Sequence, residues 1–254
     1  MWVVQNQESL VRFLQGKTAL SNREVKRALE QGGARVNGRL ERFGSSLVKP
    51  GDKVEFIPAK PIEKWQLLFD EEEYQVYNKP SGLVSESAPF HLVHRLDKPT
   101  TGLLLVAKTE QALDEMISLF EKREVEKQYL ALVDGLVMKS SGVIESHLAK
   151  KRSFQGQTIY GSAASGLYAK TSWERLSLLP NSTLLLCRPE TGRTHQIRVH
   201  MAEMGHPLVN DRQYAKEFRC KRQGPFLLHA SFLGFTWRGK RREYRHLPTG
   251  WPSL

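Results

Sequence analysis

Cysteine is scarce in this chain: Cys187 and Cys220 are the only two among 254 residues, and they lie far apart. Two distant thiols neither staple a small domain nor give paired metal-ligand spacing, and they suit a reducing, cytoplasmic setting. No apolar run reaches the roughly 18 residues a membrane helix needs, so no membrane partner is expected. The first residues, Met1-Trp2-Val3-Val4-Gln5-Asn6, lack a basic segment followed by an apolar one, so no secretory signal is expected. No Gly-rich phosphate loop is present, which argues against a nucleotide cofactor. His195 and His200 miss the i, i+4 spacing that stacks two zinc ligands on a helix face, so neither is taken as a metal ligand.

Negative charge is also in deficit. The formal net charge is +11, and it is unevenly spread. Residues 1–60 carry 11 Lys+Arg against 6 Asp+Glu (+5), residues 61–130 carry 8 against 13 (−5), and residues 131–254 carry 19 against 8 (+11). Two basic regions flanking an acidic one favour a phosphate backbone as partner, through counterion release. Solubility alone, or an anionic membrane, would be served by the same charge, but no basic amphipathic helix stands out. A hydrophobic content of 40% supports a real core. The length accommodates one catalytic domain plus a small module.

The chain centres on His94-Arg95-Leu96-Asp97-Lys98-Pro99-Thr100-Thr101-Gly102. A continuous apolar run, Leu103 to Ala107, follows and reads as a strand covered on both faces. Gly102 suggests close backbone approach. A carboxylate on a loop fixed to a buried strand is well placed for chemistry; the plain alternative is an Asp capping a turn before Pro99.

Upstream, Leu10, Phe13 and Leu14 have helical spacing. Ser21 and Glu24 form a capping box for a second helix with Val25, Ala28 and Leu29 on one face, ended by Gly32-Gly33. Asn37-Gly38 and Gly51-Asp52 mark turns. Pro58-Ala59-Lys60-Pro61 reads as a linker. The expected division is therefore 1–60 and 61–254. Asp70-Glu71-Glu72-Glu73 reads as a solvated turn, and Tyr74 to Tyr77 as a strand. Thr109 caps a helix with Leu113, Met116, Ile117 and Phe120 on its core face. Lys127 to Val133 reads as a strand, residues 139–166 as an exposed loop or hairpin, and Leu167–Leu179 and Thr183–Cys187 as further strands. Thr194 is expected to cap a helix that runs to Met204 and stops at Gly205.

Several of these pieces together resemble one family. His94-Arg95-Leu96-Asp97 with Thr100-Thr101-Gly102 and Leu103-Leu104-Leu105 looks like the signature of RluA-type pseudouridine synthases. Lys79-Pro80-Ser81-Gly82, Lys127-Gln128-Tyr129, Thr191-Gly192-Arg193-Thr194-His195-Gln196-Ile197-Arg198-Val199-His200 and Gly205-His206-Pro207-Leu208 match further motifs of that family. Asn210 stands where the family has Gly before Asp211, and Asn also tolerates positive φ. The paired helices and turns of residues 7–57 are similar to the αL RNA-binding module, which precedes the catalytic domain in many such enzymes.

The resemblance implies an α+β fold: a mostly antiparallel pseudouridine-synthase sheet with a central cleft, preceded by a small αL module. It implies conversion of uridine in RNA to pseudouridine with no cofactor and no metal. Asp97 would be the catalytic carboxylate, Tyr129 would pack on the target base, and Arg193 would be the cation that keeps Asp97 charged. The carboxylate could attack the sugar carbon, take a ribose proton or add to the uracil ring. The base must leave its stack to be reached; Arg95 would fill the gap or bind a neighbouring phosphate, or else form a structural ion pair. In the small module, Arg23, Lys26, Arg27 and Arg35 are the candidate phosphate binders. The expected substrate is large-subunit ribosomal RNA, with transfer RNA as the alternative. A non-catalytic RNA-binding assembly factor is the competing class, and no obligate protein partner is evident.

Overall fold

In the computed structural model, residues 1–30, 32–57, 64–154, 157–215, 217–220, 222 and 224–251 are described. They belong to two units, Met1–Pro61 and Ile62–Leu254. The expected linker Pro58–Pro61 lies outside the described residues.

The first unit holds β1 (Trp2–Val3), β2 (Glu8–Ser9), α1 (Leu10–Lys17), α2 (Asn22–Glu30), β3 (Ala34–Val36), β4 (Arg39–Glu41), β5 (Leu47–Val48) and β6 (Lys53–Phe56). Its sheet has the order β1-β6-β3-β4, and β2 pairs with β5. The apolar stripes of the two helices meet these strands: Leu10, Phe13, Leu14, Val25 and Leu29 pack with Ala34, Val48 and Val54. The capping box forms, with the Ser21 N–H donating to Glu24 Oε2 at 2.8 Å and the Glu24 N–H donating to Ser21 Oγ at 3.3 Å. Asn37 and Gly38 both take positive φ, 52° and 77°, as a tight hairpin between β3 and β4 requires.

The second unit holds β7 (Gln66–Asp70), β8 (Tyr74–Lys79), a 3-10 turn at Ser85–Ser87, β9 (His91–Leu92), β10 (Thr101–Ala107), α3 (Glu110–Glu121), β11 (Glu126–Asp134), β12 (Ser141–Phe154), β13 (Gln157–Ser162), β14 (Leu167–Leu179), β15 (Ser182–Pro189), α4 (Gln196–Glu203), β16 (Leu228–Trp237) and β17 (Lys240–Arg245). These strands form one 11-stranded sheet in the order β13-β12-β14-β15-β11-β16-β10-β8-β7, with β17 on β16 and β9 on β10. Among the described residues, every pairing is antiparallel except β10 with β16. The fold is α+β with a mostly antiparallel sheet.

Two apolar clusters flank the middle of that sheet. One gathers β8, β10 and α3 around Leu103, Leu105, Met116 and Phe235. The other gathers β11, β15 and α4 around Ala131, Leu185, Ile197 and Met201. Tyr129 packs against both, so the seam between them passes through the centre of the sheet. The parallel pair lies on that seam. There Gly102 has φ of 103°, and a Cβ on it would stand 2.3 Å from the Ala230 carbonyl oxygen. Only glycine lets β10 approach β16 this closely.

Two sequence expectations are corrected. Residues 70–73 are not merely solvated: Asp70 pairs with Lys108, Glu71 with Arg242, and Glu73 with Arg238. The basic strand β17 and its turn thus fold back on the acidic turn. Thr194 does not cap α4; His195 does, in a left-handed conformation and without a side-chain cap bond. The 139–166 region, expected as a loop or hairpin, is a hairpin in which β12 pairs with β13.

Candidate active site

Asp97 stands in the loop that leads into β10, and Lys79 shapes that loop. Its side chain is fully buried, and its Nζ donates to the carbonyls of Pro80 (3.1 Å), Lys98 (3.0 Å) and Thr100 (2.8 Å). Burial, only partly offset by Asp97, pulls its pKa down to about 8. Ser85 adds a two-way clamp: its Oγ donates to the Leu96 carbonyl and accepts the Leu96 N–H, both at 2.9 Å. The carboxylate therefore has a fixed origin while its tip faces a cleft lined also by Arg95, Tyr129, Arg193, His195 and Arg198.

The cation on Asp97 is Arg198, not Arg193. Arg198 Nη1 donates to Asp97 Oδ2 at 3.0 Å. Its other edge binds Asp211: Nε donates to Oδ2 at 2.7 Å and Nη2 to Oδ1 at 2.9 Å. Gln213 Oε1 accepts from Nη2 as well, and the guanidinium plane lies 4.7 Å from the Phe226 ring centre and 5.0 Å from that of Tyr214. Burial works against the charge, but Asp211 and Asp97 outweigh it and hold the guanidinium above its ordinary pKa. Arg193 lines the same cleft, but its Nε donates to the Tyr168 carbonyl at 3.0 Å. The reason lies in the geometry of α4. His195 turns left-handed (φ 57°) and the helix begins only at Gln196, so residues 191–193 form a separate loop. Gln196 ties that loop down, accepting from Thr191 Oγ1 at 2.6 Å and from the Arg193 N–H at 3.0 Å.

Tyr129 occupies the expected place on β11, half-buried at the cleft wall. Burial and the Asp97 charge push its pKa up, so it stays a neutral phenol. Lys127, two residues back, reaches the same cleft, and burial, with Arg123, lowers its pKa. Arg95 is exposed and pairs with Glu86 of the 3-10 turn at 2.7 Å.

In the first unit, Arg23 and Lys26 are exposed on α2 and Arg27 is half-buried behind them. Their i, i+3, i+4 spacing gathers them on one helix side. Arg35 is exposed on β3, where its Nη1 donates to the Gly38 carbonyl at 3.1 Å.

His195 and His200 diverge, as their five-residue spacing suggests. His195 faces Asp97 and Tyr214; His200 is fully buried between Thr171 Oγ1 (2.9 Å) and Ser146 Oγ (3.1 Å). Sequence reasoning missed Arg198, Asp211, Gln213 and Tyr214 as site residues. The signal for Arg198 was present: an arginine between Ile197 and Val199, on a helix that buries both, requires a carboxylate partner.

The arrangement is a carboxylate fixed by an ion pair, with an aromatic wall and additional cations beside it, in a cleft open to solvent. Comparison with known proteins shows the family of the chain. Residues 70–203 match the family model described as RNA pseudouridylate synthase. An uncharacterized RNA pseudouridine synthase of Bacillus subtilis (strain 168) is 30% identical over 268 residues, covering 91% of this chain and 86% of that protein. The ribosomal large subunit pseudouridine synthase C of Haemophilus influenzae is 31% identical over 245 residues, covering 82% and 76%. Among solved structures, human RNA pseudouridylate synthase domain containing 1 superposes with a TM-score of 0.66 at 27% identity, covering 76% of this chain and 86% of that one. The chain belongs to the RNA pseudouridine synthase family, and it is an isomerase of uridine in RNA.

Proposed function

We propose that this enzyme modifies uridines of large-subunit ribosomal RNA, with Asp97 as the acting carboxylate. The single observation that carries the assignment of Asp97 is its ion pair with the buried Arg198 at 3.0 Å, set in the same cleft as Tyr129. In this reading the target uridine leaves its stack, and the unpairing cost of a few kcal/mol is offset by contacts in the cleft. Tyr129 stacks on the uracil. Arg198 pairs with the Asp97 carboxylate and orients it before it reacts. Arg193 and Arg95 take the flanking phosphates; for Arg95 this requires exchanging Glu86, and an exposed ion pair holds it by about 1 kcal/mol at most.

Support for a ribosomal substrate comes from relatives whose names carry it and from the basic first unit, which we read as an αL-type RNA-binding module. Phosphate contacts supply affinity without choice among RNAs, so selection would rest on RNA shape and on a uridine that flips readily. A cytoplasmic setting goes with this reading. The test is to incubate the purified protein with unmodified large-subunit rRNA and, separately, with unmodified bulk tRNA, and to map pseudouridine in each. Stoichiometric pseudouridine at one or a few rRNA sites is expected. Modification of tRNA alone would overturn the choice of substrate but leave the enzyme class standing. Asp97→Asn should abolish product with either RNA while holding RNA affinity within a few-fold.

A further inference from the structure

His195 lies beside Asp97, yet the roles given to Asp97, Arg198 and Tyr129 do not use it. Its Nε2 stands 3.7 Å from Asp97 Oδ2, and its Nδ1 stands 2.7 Å from the Tyr214 hydroxyl. Two rings hold it edge-on, Tyr160 and Tyr214, at 5.6 and 5.7 Å between centroids. Its backbone is left-handed, with φ of 57°, a conformation that costs a non-glycine residue about 1 kcal/mol or more and persists where the surroundings impose it.

The hydrogen bonds bear on which ring nitrogen carries the proton. The Tyr160 N–H donates to Tyr214 Oη at 3.2 Å, and an amide N–H can only donate. Burial pushes the Tyr214 phenol up to about 12, so it keeps its proton, and among the described residues His195 Nδ1 is the acceptor that faces that proton. With the phenol as donor, Nδ1 is the bare nitrogen. A neutral imidazole has one N–H, which falls on Nε2, the atom turned to Asp97. Burial, with Arg198 adding to it and Asp97 and Asp211 opposing, holds the His195 pKa below its ordinary value. Arg198 Nη1 and His195 Nε2 both lie on the same oxygen of Asp97, Oδ2.

We propose that His195 is a positioning residue of the reaction: locked by Tyr214 with its proton on Nε2, it donates to Oδ2 of Asp97 beside Arg198 and leaves Oδ1 as the reacting oxygen. The proposal rests on Asp97 being the acting carboxylate. At 3.7 Å the Nε2 contact is too long for a hydrogen bond in the free protein; it tightens when the nucleotide fills the cleft, as contacts in unliganded active sites commonly do. No proton is transferred by His195. Its role is to hold the carboxylate plane, so its removal acts on kcat rather than on RNA affinity.

The experiment has one arm without RNA and one with it. Nitrogen NMR of the [15N]histidine-labelled full chain reads the tautomer directly. In the wild type, His195 should show a protonated Nε2 and a bare Nδ1; Tyr214→Phe, which keeps the ring over Arg198, should show a mixture. A wild-type His195 with its proton on Nδ1 overturns the proposal. In the second arm, tritium release is followed from total RNA of cells lacking this protein, labelled with [5-3H]uridine, so the class of RNA is not prejudged. His195→Asn tolerates the left-handed turn and should lower kcat about 10- to 100-fold, the size of one hydrogen bond to a charged group. His195→Gln, whose amide reaches the Nε2 position, should recover part of that loss. In Tyr214→Phe the Nδ1–H tautomer becomes available and presents a lone pair to Asp97; protonating the ring restores the donor. Its kcat should therefore rise as pH falls through the imidazole range, while the wild type does not show that rise. The charged and titratable groups facing the ring are Asp97, Arg198, Asp211, Tyr160 and Tyr214, and of these Asp97 alone reacts with substrate in this scheme. Equal kcat for His195→Asn and His195→Gln, with a Tyr214→Phe pH profile like the wild type's, overturns the proposal. Should His195→Asn fail to fold, Tyr214→Phe and the tautomer decide. A silent wild type on total RNA would overturn the reading of Asp97 as acting carboxylate and this role with it, whereas a wrong choice of RNA class would leave tritium release intact.

Discussion

Asp211 and Asp97 grip opposite edges of one guanidinium: Asp211 takes Nε and Nη2 of Arg198, at 2.7 and 2.9 Å, and Asp97 takes Nη1, at 3.0 Å. Asp211 is 2% exposed and Arg198 4%, whereas the Asp97 side chain keeps 26% of its surface. The buried carboxylate thus neutralises and orients the arginine, and the more open one is left for chemistry. The turn that delivers Asp211 depends on Asn210, which takes φ of 71°, a conformation Asn adopts more readily than most residues.

The first prediction separates the two arginines of the motif. Arg198→Ala leaves Asp211 buried without its arginine partner, and removing one member of such a pair typically costs about 3–5 kcal/mol. Arg198→Lys cannot serve three acceptors from a planar fork and should lose most activity. Among the described residues, Arg193→Ala breaks a bond to the Tyr168 carbonyl and should cost about 1 kcal/mol or less of stability. Urea unfolding and tritium release on the three variants check this; an unfolded Arg193→Ala beside a stable, active Arg198→Ala would reverse the assignment.

The second prediction concerns the seam of the sheet. In Gly102→Ala, the new Cβ would meet the Ala230 carbonyl at 2.3 Å with φ at 103°. Backbone cannot yield as a flexible side chain can, so β10 must withdraw from β16 and take the Asp97 loop with it. A loss of about 3 kcal/mol or more is expected, combining steric strain with unfavourable φ. By contrast Gly205→Ala meets open space and should cost only the left-handed penalty of about 1–2 kcal/mol. Melting curves of both variants test the ordering.

Much of the fold is legible in the sequence, and what is not has a physical reason. Leu103–Ala107, the capping box at Ser21 and the turn at Asn37-Gly38 are local signals, and each forms as its residues suggest. The ion pair at Asp97 spans 101 positions in sequence, and two arginines five residues apart in one motif both fit the role. The choice between them depends on where α4 begins, which the sequence obscures. Thr194 is a standard cap residue, but the strained His195 starts the helix and so gives Arg198 rather than Arg193 the inward course. The acidic turn misleads similarly, because its partners on β17 and the turn before it lie more than 160 residues away.

The third prediction follows from two histidines, His94, half-buried, and His229, buried. His94 is held neutral, its pKa pulled down to about 3 by burial, with Lys127 adding to it, while its Nε2 accepts the Leu105 N–H at 3.0 Å. His229 is pulled down to about 4 by burial, with His246 adding to it. Both folded values lie below that of a free imidazole, so the unfolded chain binds more protons between about pH 3 and pH 6.5. Stability is therefore complete above about pH 6.5 and falls as pH drops, by up to about 1.4 kcal/mol per pH unit for each group. Urea titrations at pH 7 and pH 5 should show this loss, and His94→Gln should show a shallower slope than the wild type. An unchanged slope in that variant would mean His94 is not the group responsible.

The last prediction concerns the first unit. Residues 1–60 carry +5 of the +11 net charge, and the second unit has its own apolar clusters, assembled from residues 74–244 and 129–228. A chain starting at residue 62 should therefore fold. It should also bind RNA more weakly and with a shallower dependence on salt, because every phosphate the protein no longer neutralises reduces the slope by about 0.7–0.9. If Arg23, Lys26, Arg27 and Arg35 all touch phosphates, the slope falls by about 3, and the four-alanine variant of the full chain should reproduce most of that change. The variant matters because truncation removes shape as well as charge. Affinity for large-subunit rRNA fragments, measured from about 50 to 300 mM salt, distinguishes the cases. A truncation that weakens binding while the alanine variant does not would place the RNA contact elsewhere on the unit, and an unchanged slope in both would show that the unit does not grip RNA at all.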